Sequence, residues 1–448
     1  MKTFIVTMGC PKNTVDTEAA IGFLRDAGCT MVADPEEADL LIVNACSFLD
    51  SAWRETVEEV EHLSDLKRAY PGKKLVLMGC LPLHRKEGWR ESLPDVDRFL
   101  PTGAHSFLPS IVDSLRRGER GTAADGAVPV DRFAGFANRV RTTPGHLAYV
   151  KIAEGCSRAC TFCAIPRIRG DMVSRPIEAI VREIAALKRD GVREVSLLAQ
   201  DITSYRDGRR RFPDLVDAIA GTGIDWIRVF YVHAGSLSVE FVRRIFEHPS
   251  VCRYLEVPVQ HASDRMLRRM GRQHTRAHLE RVLGGIREEF PETVVRSEVI
   301  VGFPGETGGD FEELKSFIER AAFASLGVFV FSPEEGTEAA GFDPAVDPAV
   351  AAERSAEIAD LQTSIAFGLL SAERGKRHRV LVDRGLEGDS GARAGFTHAG
   401  RYYGQAFEID GEVYIRGRGV EEGAFADVRI TDADAFDLEA ETVDPQSP

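Results

Sequence analysis

Residues 154–163 read EGCSRACTFC, and three cysteines, Cys156, Cys160 and Cys163, fall in a C-x3-C-x2-C pattern. Thiolates are soft donors that suit zinc or iron–sulfur chemistry. Structural zinc takes four ligands and closes its shell, whereas this run supplies three in eight residues. A zinc site would have to recruit a distant histidine, such as His146 or His233. A [4Fe–4S] cube held at three corners needs no fourth residue and leaves one iron open to a small molecule. Three more cysteines end apolar runs: Cys10 in MGC, Cys46 in NAC and Cys80 in MGC. Cys29 and Cys252 stand apart from these motifs, inside predicted elements, and read as buried structural thiols.

The elements that must position these thiols are legible from periodicity. Strands over Thr3–Met8, Asp39–Asn44 and Lys74–Met78 alternate with helices over 14–28, 51–67 and 106–117. Short apolar strands between helices predict an open parallel sheet. Such sheets bind ligands beyond the carboxyl ends of their strands, so Cys10, Cys46 and Cys80 are expected along one edge. Residues 119–145, rich in Gly, Ala, Pro and Arg, read as a linker after a first domain over 1–118. Over 146–375 a second βα run carries strands at 148–152, 193–198, 226–231, 254–259, 294–301 and 325–331. Six such units predict an α/β barrel or partial TIM barrel. A helix is expected over 346–376, then short strands with Gly-rich turns, a small antiparallel β-barrel within 376–448 ending in an acidic tail.

The 448 residues carry 56 Lys plus Arg against 70 Asp plus Glu, a net of −14. That balance argues against broad contact with nucleic acid. No run approaches the roughly 20 apolar residues of a membrane helix. The N-terminus lacks the longer apolar segment and cleavage site of a signal peptide. The expectation is a cytoplasmic protein with no membrane contact.

The loop at Cys156, Cys160 and Cys163, with Phe162 before its last cysteine, resembles the radical S-adenosylmethionine (SAM) enzymes. In that superfamily SAM chelates the open iron and is cleaved to a 5′-deoxyadenosyl radical. The resemblance implies cofactor contacts at Phe162, at Gln200 and Asp201 after the second barrel strand, and at Gly302 and Pro304 in VIVGFPGE. Gly302 and Pro304 also suit an ordinary strand-to-helix turn. MGCPKNTVDTE, IVNACSF and LMGCLP, followed by KIAEGCSRACTFCAIPRIRGDMVSRP, YLEVPVQHAS and EVIVGFPGET, resemble the methylthiotransferases over essentially the whole chain. That likeness implies a second [4Fe–4S] cluster on Cys10, Cys46 and Cys80, SAM as a further cofactor, and a C-terminal TRAM-like barrel. Arg167, Arg169 and Arg175 flank the cluster loop and either neutralise a carboxylate of SAM or substrate or face solvent.

Two branches share this pattern: one modifies an adenosine beside the tRNA anticodon, the other, the RimO type, the β-carbon of an aspartate on small-subunit ribosomal protein twelve. GCPKN, SPEEGT and FEIDGEVYI resemble the second branch. Arg206, where Gly often follows Tyr205, and FTHAGRYYGQAF in the barrel depart from the pattern. Charge supplies a separate argument. From 380 to 448 there are six Arg and no Lys against 15 acidic residues, a net of −9. An RNA-gripping barrel should be basic, whereas an acidic one suits a basic ribosomal protein. A ribosomal-protein substrate is expected, with nucleic-acid contact only through the ribosome; the electron donor is not encoded in these motifs. A non-enzymatic iron–sulfur carrier would need no βα domain of this size and would normally hold each cluster with four cysteines.

Overall fold

The computed structural model describes residues 1–81, 88–119, 131–386, 393 and 395–443. The N-terminal region contains β1 (Lys2–Thr7), α1 (Pro11–Asp26), β2 (Thr30–Met31), β3 (Leu40–Ala45), α2 (Asp50–Ala69), β4 (Lys74–Gly79), β5 (Arg98–Pro101) and α3 (Leu108–Arg116). Its five strands are all parallel, in the order β2-β1-β3-β4-β5. The central strand β3, LLIVNA, is buried at every position, as a strand covered on both faces must be. The sequence reading gave three of these strands. The two edge strands, of two and four residues, are too short to show a period. Part of the expected linker, residues 120–130, and the end of the acidic tail, 444–448, lie outside the described residues.

The second βα region runs through β6 (Leu147–Lys151) and five further parallel strands, Glu194–Leu198, Trp226–Val229, Tyr254–Glu256, Val294–Val301 and Ser325–Val330. They form two three-stranded halves joined by a bridge between Ile227 and Val251, and no ladder joins the first strand to the last. The result is a partial barrel. On Val294–Val301 the buried Val295, Val299 and Val301 pack into the core beneath the helices. The alternate residues Val294, Arg296, Glu298 and Ile300 therefore face the barrel interior. The linker's second half ties the two regions together: Arg139 pairs with Glu18 of α1 at 2.5 Å and with Glu183 at 3.0 Å.

A long helix, Pro348–Ser371, leads to a closed barrel of five strands, Arg377–Gly385, His398–Tyr402, Val413–Arg416, Phe425–Ala433 and Leu438–Thr442. This barrel closes the end of the partial barrel where its strands begin. Arg401 reaches Glu194 at 2.8 Å and Asp383 at 2.7 Å, and Arg228 shares Glu194 at 2.6 Å. Asp410, in the FEIDG stretch, accepts from Tyr254 Oη at 2.9 Å, so that motif is an interdomain clasp. Because the first strand starts at Arg377, it brings in two more arginines. From 377 to 442 there are eight Arg against 14 acidic residues, a smaller net of −6 with the same sign. Cys29 and Cys252 are buried in apolar clusters, as expected, but they sit in the loops entering strands rather than inside elements. Among the described residues, no helix is long and apolar enough to cross a membrane.

Candidate functional site

The Cys156–Cys163 loop leaves the carboxyl end of β6, the end at which barrel enzymes place their chemistry. Two arginines pin it. Arg158 donates from Nε to Asp201 at 2.8 Å and from a terminal nitrogen to Ser236 Oγ at 2.8 Å, while its backbone N–H meets Cys156 Sγ at 3.4 Å. Arg272 donates to Cys160 Sγ at 3.4 Å and to the Pro258 carbonyl at 2.8 Å. Phe162 packs beside Met266, Met270 and Phe303, anchoring the loop's far end. Burial, with Cys160 and Cys156 adding to it, pushes the Cys163 thiol up to about 12, so the three sulfurs lie within electrostatic reach of one another.

The second triad is assembled from three separate strand ends. Cys46 and Cys80 directly follow β3 and β4, and Cys10 caps the start of α1. Asn13 holds these ends together: its Nδ2 donates to the Met8 carbonyl at 2.8 Å and the Ala45 carbonyl at 2.9 Å, and Cys80 Sγ lies 3.5 Å from its Oδ1. The glycines before two of the cysteines are required. A Cβ on Gly9 would stand 2.8 Å from Cys46 Sγ, and one on Gly79 would stand 2.1 Å from Asn44 Oδ1; both take positive φ. Burial raises Cys80 to about 12, against the pull of Arg169 and with Cys10 and Cys46 adding to the rise. Burial also works to raise Cys10, but Lys12, Arg169 and two backbone N–H groups bring it below the ordinary thiol value.

The two triads meet. Cys80 packs against Ala164, the residue after Cys163, and against Ile168. One turn further on, Arg169 donates to Cys80 Sγ at 2.9 Å, Asn13 Oδ1 at 2.6 Å and Glu154 at 2.6 Å. Lys151 completes the network, reaching Asp16 at 2.5 Å and Glu154 at 2.7 Å. Arg169 is thus neither solvated nor a free anion receptor: it is the buried cation that joins the cluster loop to the sheet. Of its neighbours, Arg167 is exposed, and Arg175 is buried against Glu183 at 2.6 Å.

The other residues singled out by sequence divide. Gln200 reaches the mouth of the barrel, donating to Glu154 at 3.2 Å, and its buried Oε1 has no partner among the described residues. Asp201 is committed to Arg158, Thr203 and Ser204, so it positions the loop. A Cβ on Gly302 would come within 2.5 Å of Ala351, so the need for glycine there comes from packing against the long helix. The Pro304 carbonyl accepts from Arg269 at 2.9 Å. Of the two distant candidates for a zinc shell, His146 is bonded instead to Asp383 at 2.9 Å. Sequence reasoning missed the roles of Asn13 and Lys12, for which only the quoted GCPKN run held a signal.

The donor set suits iron–sulfur clusters. In each triad burial raises two of the thiols, Cys46 and Cys80 in one and Cys156 and Cys163 in the other, which a cationic cluster would deprotonate. Among the described residues, no three His, Cys, Asp or Glu side chains converge as a single metal ion requires. A four-iron cube takes its thiolates at separate corners and makes no such demand. The unpartnered Gln200 Oε1 beside the loop leaves an acceptor for a small polar molecule.

Comparison with known proteins agrees with this geometry. Residues 150–318 match the radical SAM superfamily, residues 2–101 a family described as uncharacterized protein family UPF0004, and residues 375–443 the TRAM domain. The chain is 40% identical to the ribosomal protein uS12 methylthiotransferase RimO of Anaeromyxobacter sp. (strain K), covering 98% of this chain and 92% of that protein. It is 38% identical to the protein of the same name from Thermotoga maritima, covering 98% and 99%, and 37% identical to that of Geobacter sulfurreducens, covering 99% and 98%. Among solved structures, the radical SAM methyltransferase TsrM of Kitasatospora setae superposes with a TM-score of 0.53 at 14% identity, covering 75% of each chain, which shows a shared fold.

Proposed function

From the premise that this chain belongs to the RimO family of radical SAM methylthiotransferases, we propose that it replaces one β-hydrogen of an aspartate on ribosomal protein uS12 with a methylthio group. The cofactors are two [4Fe–4S] clusters and SAM; bound, they supply the hydrogen-abstracting radical, the sulfur and the methyl group. We assign one cluster to Cys156, Cys160 and Cys163 and the other to Cys10, Cys46 and Cys80. One observation carries the reading: Cys80 packs against Ala164, so a hydrogen abstractor and a sulfur donor held by these triads would share one chamber.

The chain's own groups do the positioning. Arg158, held by Asp201 and Ser236, and Arg272, held by Pro258, fix the loop over the barrel. Gln200 Oε1 is the acceptor offered to the SAM amine, and Phe162, partly buried beside Met266 and Phe303, braces the loop. The division into 1–118, a linker over 119–145, 146–375 and 376–448 gives each cluster its own fold and leaves the acidic barrel to meet a basic ribosomal protein in the cytoplasm.

Mass spectrometry after anaerobic turnover tests this. Reconstituted protein, SAM and a reductant are given uS12 and anticodon-loop RNA side by side. A methylthio mass gain confined to an Asp-containing peptide is the expected result. A gain confined to the RNA would reject the substrate while leaving the chamber intact.

A further inference from the structure

We propose that Lys12 is the residue that receives the carboxylate of the substrate aspartate, and so sets the reaction's preference for an acidic side chain; this rests on the reading above. Lys12 lies two residues past Cys10, in the first turn of α1, and is 8% exposed. Its Nζ stands 3.4 Å from the ring centroid of Tyr231, at the mouth of the partial barrel just past Trp226–Val229. The ammonium thus projects from the N-terminal sheet domain onto the opening of the barrel that carries the other triad.

Three observations separate it from a structural lysine. First, among the described residues Lys12 Nζ makes no hydrogen bond and no ion pair. The molecule's other buried lysines are saturated: Lys151 has two carboxylates at 2.5 and 2.7 Å, and Lys73 has three backbone carbonyls. Most of the side chain is buried, a partly desolvated ammonium is costly without partners, and the ring face answers only part of its need. Second, Tyr231 holds a left-handed φ of 59°, a conformation that an aromatic residue rarely adopts and that clusters at ligand sites. Third, burial works against the ammonium and Cys10 is the main opposite charge acting on it, while the nearby carboxylates are engaged by other cations. Arg169 is a second cation nearby, and Glu154 is already bound to Arg169 and Lys151. On the barrel side, burial, with Glu298 adding to it, raises Glu256 against the pull of Arg296 and of Lys12 itself, and Arg296 is its nearest cation at 3.7 Å. A carboxylate entering the chamber would meet an ammonium in a low-dielectric setting, where a charge-assisted hydrogen bond is strongest.

The alternative role, offsetting the charge of Cys10, makes a different forecast. Lys12→Met, Lys12→Gln and Lys12→Arg are compared with wild type after cluster reconstitution, with iron and sulfide content measured. Binding of uS12, and of uS12 with Asn at the modified position, is measured without reductant so that no turnover occurs. Wild type should favour the Asp form by about tenfold or more. Lys12→Met and Lys12→Gln should bind both forms equally, with cluster content retained, and Lys12→Arg should recover part of the preference. Retention of the Asp preference by both neutral variants overturns the proposal. So does an equal loss for both forms accompanied by an altered cluster spectrum. If wild type neither binds nor modifies uS12, the parent reading fails, and this one with it.

Discussion

The two cysteine triads lie side by side yet are built in opposite ways. Cys156, Cys160 and Cys163 belong to one loop of eight residues, and the chain's own spacing brings them together. Cys10, Cys46 and Cys80 are spread over 71 residues and meet because three parallel strands end at one sheet edge. The loop triad needs only to be pinned, which Arg158 and Arg272 do from outside. The sheet triad needs a frame, and part of that frame, Arg169, comes from the other domain. A local site tolerates the loss of one prop; a site made of distant pieces does not.

The largest break in this comparison should come from Arg169→Met. It strands Asp16 and Glu154 beside Lys151 and removes the donor to Cys80, and losing one partner of a buried ionic network costs about 3–5 kcal/mol. Denaturant unfolding of the apoprotein should show that loss, and reconstitution should yield the loop cluster with little of the other. Acid should act on the same network. Burial works to raise Glu154, but Arg169 and Lys151 override it and hold the carboxyl at about 2. Its folded value lies below its unfolded one, so its contribution is full above about pH 4.5 and fades as pH falls toward 2. Stability measured against pH should fall through that window in wild type and more shallowly in Arg169→Met.

Asn13→Ala comes next. It leaves the Arg169 guanidinium short of an acceptor and frees the Met8 and Ala45 carbonyls, at about 1–3 kcal/mol for a buried group left unpaired. Iron bound at the sheet triad should drop while the loop triad's share holds. The smallest effect should follow Arg272→Gln, which removes a long contact to Cys160 and one carbonyl bond, worth about 1 kcal/mol. Both clusters should still assemble. An equal loss of both clusters in Asn13→Ala would erase the distinction between a framed and a local site.

The same contrast explains what the sequence disclosed. The loop triad was legible from spacing alone, and the three strand-end cysteines from the rule that parallel sheets work at their carboxyl edges. The roles of Arg169 and Asp201 were not, because nothing in RIRGD or QDITS shows that the first turns toward Cys80 and the second toward Arg158. Gly302 shows how one signal can have another source: a glycine at a strand end suits close ligand approach, and here Ala351 of a distant helix also excludes a side chain. FEIDG marked the family correctly, while its physical task, clasping Tyr254 through Asp410, depends on how two domains dock. Local patterns name the parts; contacts between domains assign their work.

That each triad holds its own cluster is tested most directly by two triple variants, Cys156→Ala/Cys160→Ala/Cys163→Ala and Cys10→Ala/Cys46→Ala/Cys80→Ala, reconstituted anaerobically and examined by Mössbauer spectroscopy and iron analysis. Each should hold about four iron atoms per chain, against about eight in wild type, with the spectrum of a single [4Fe–4S] cluster. Wild-type iron content in either variant, or loss of all iron in both, would contradict two independent sites.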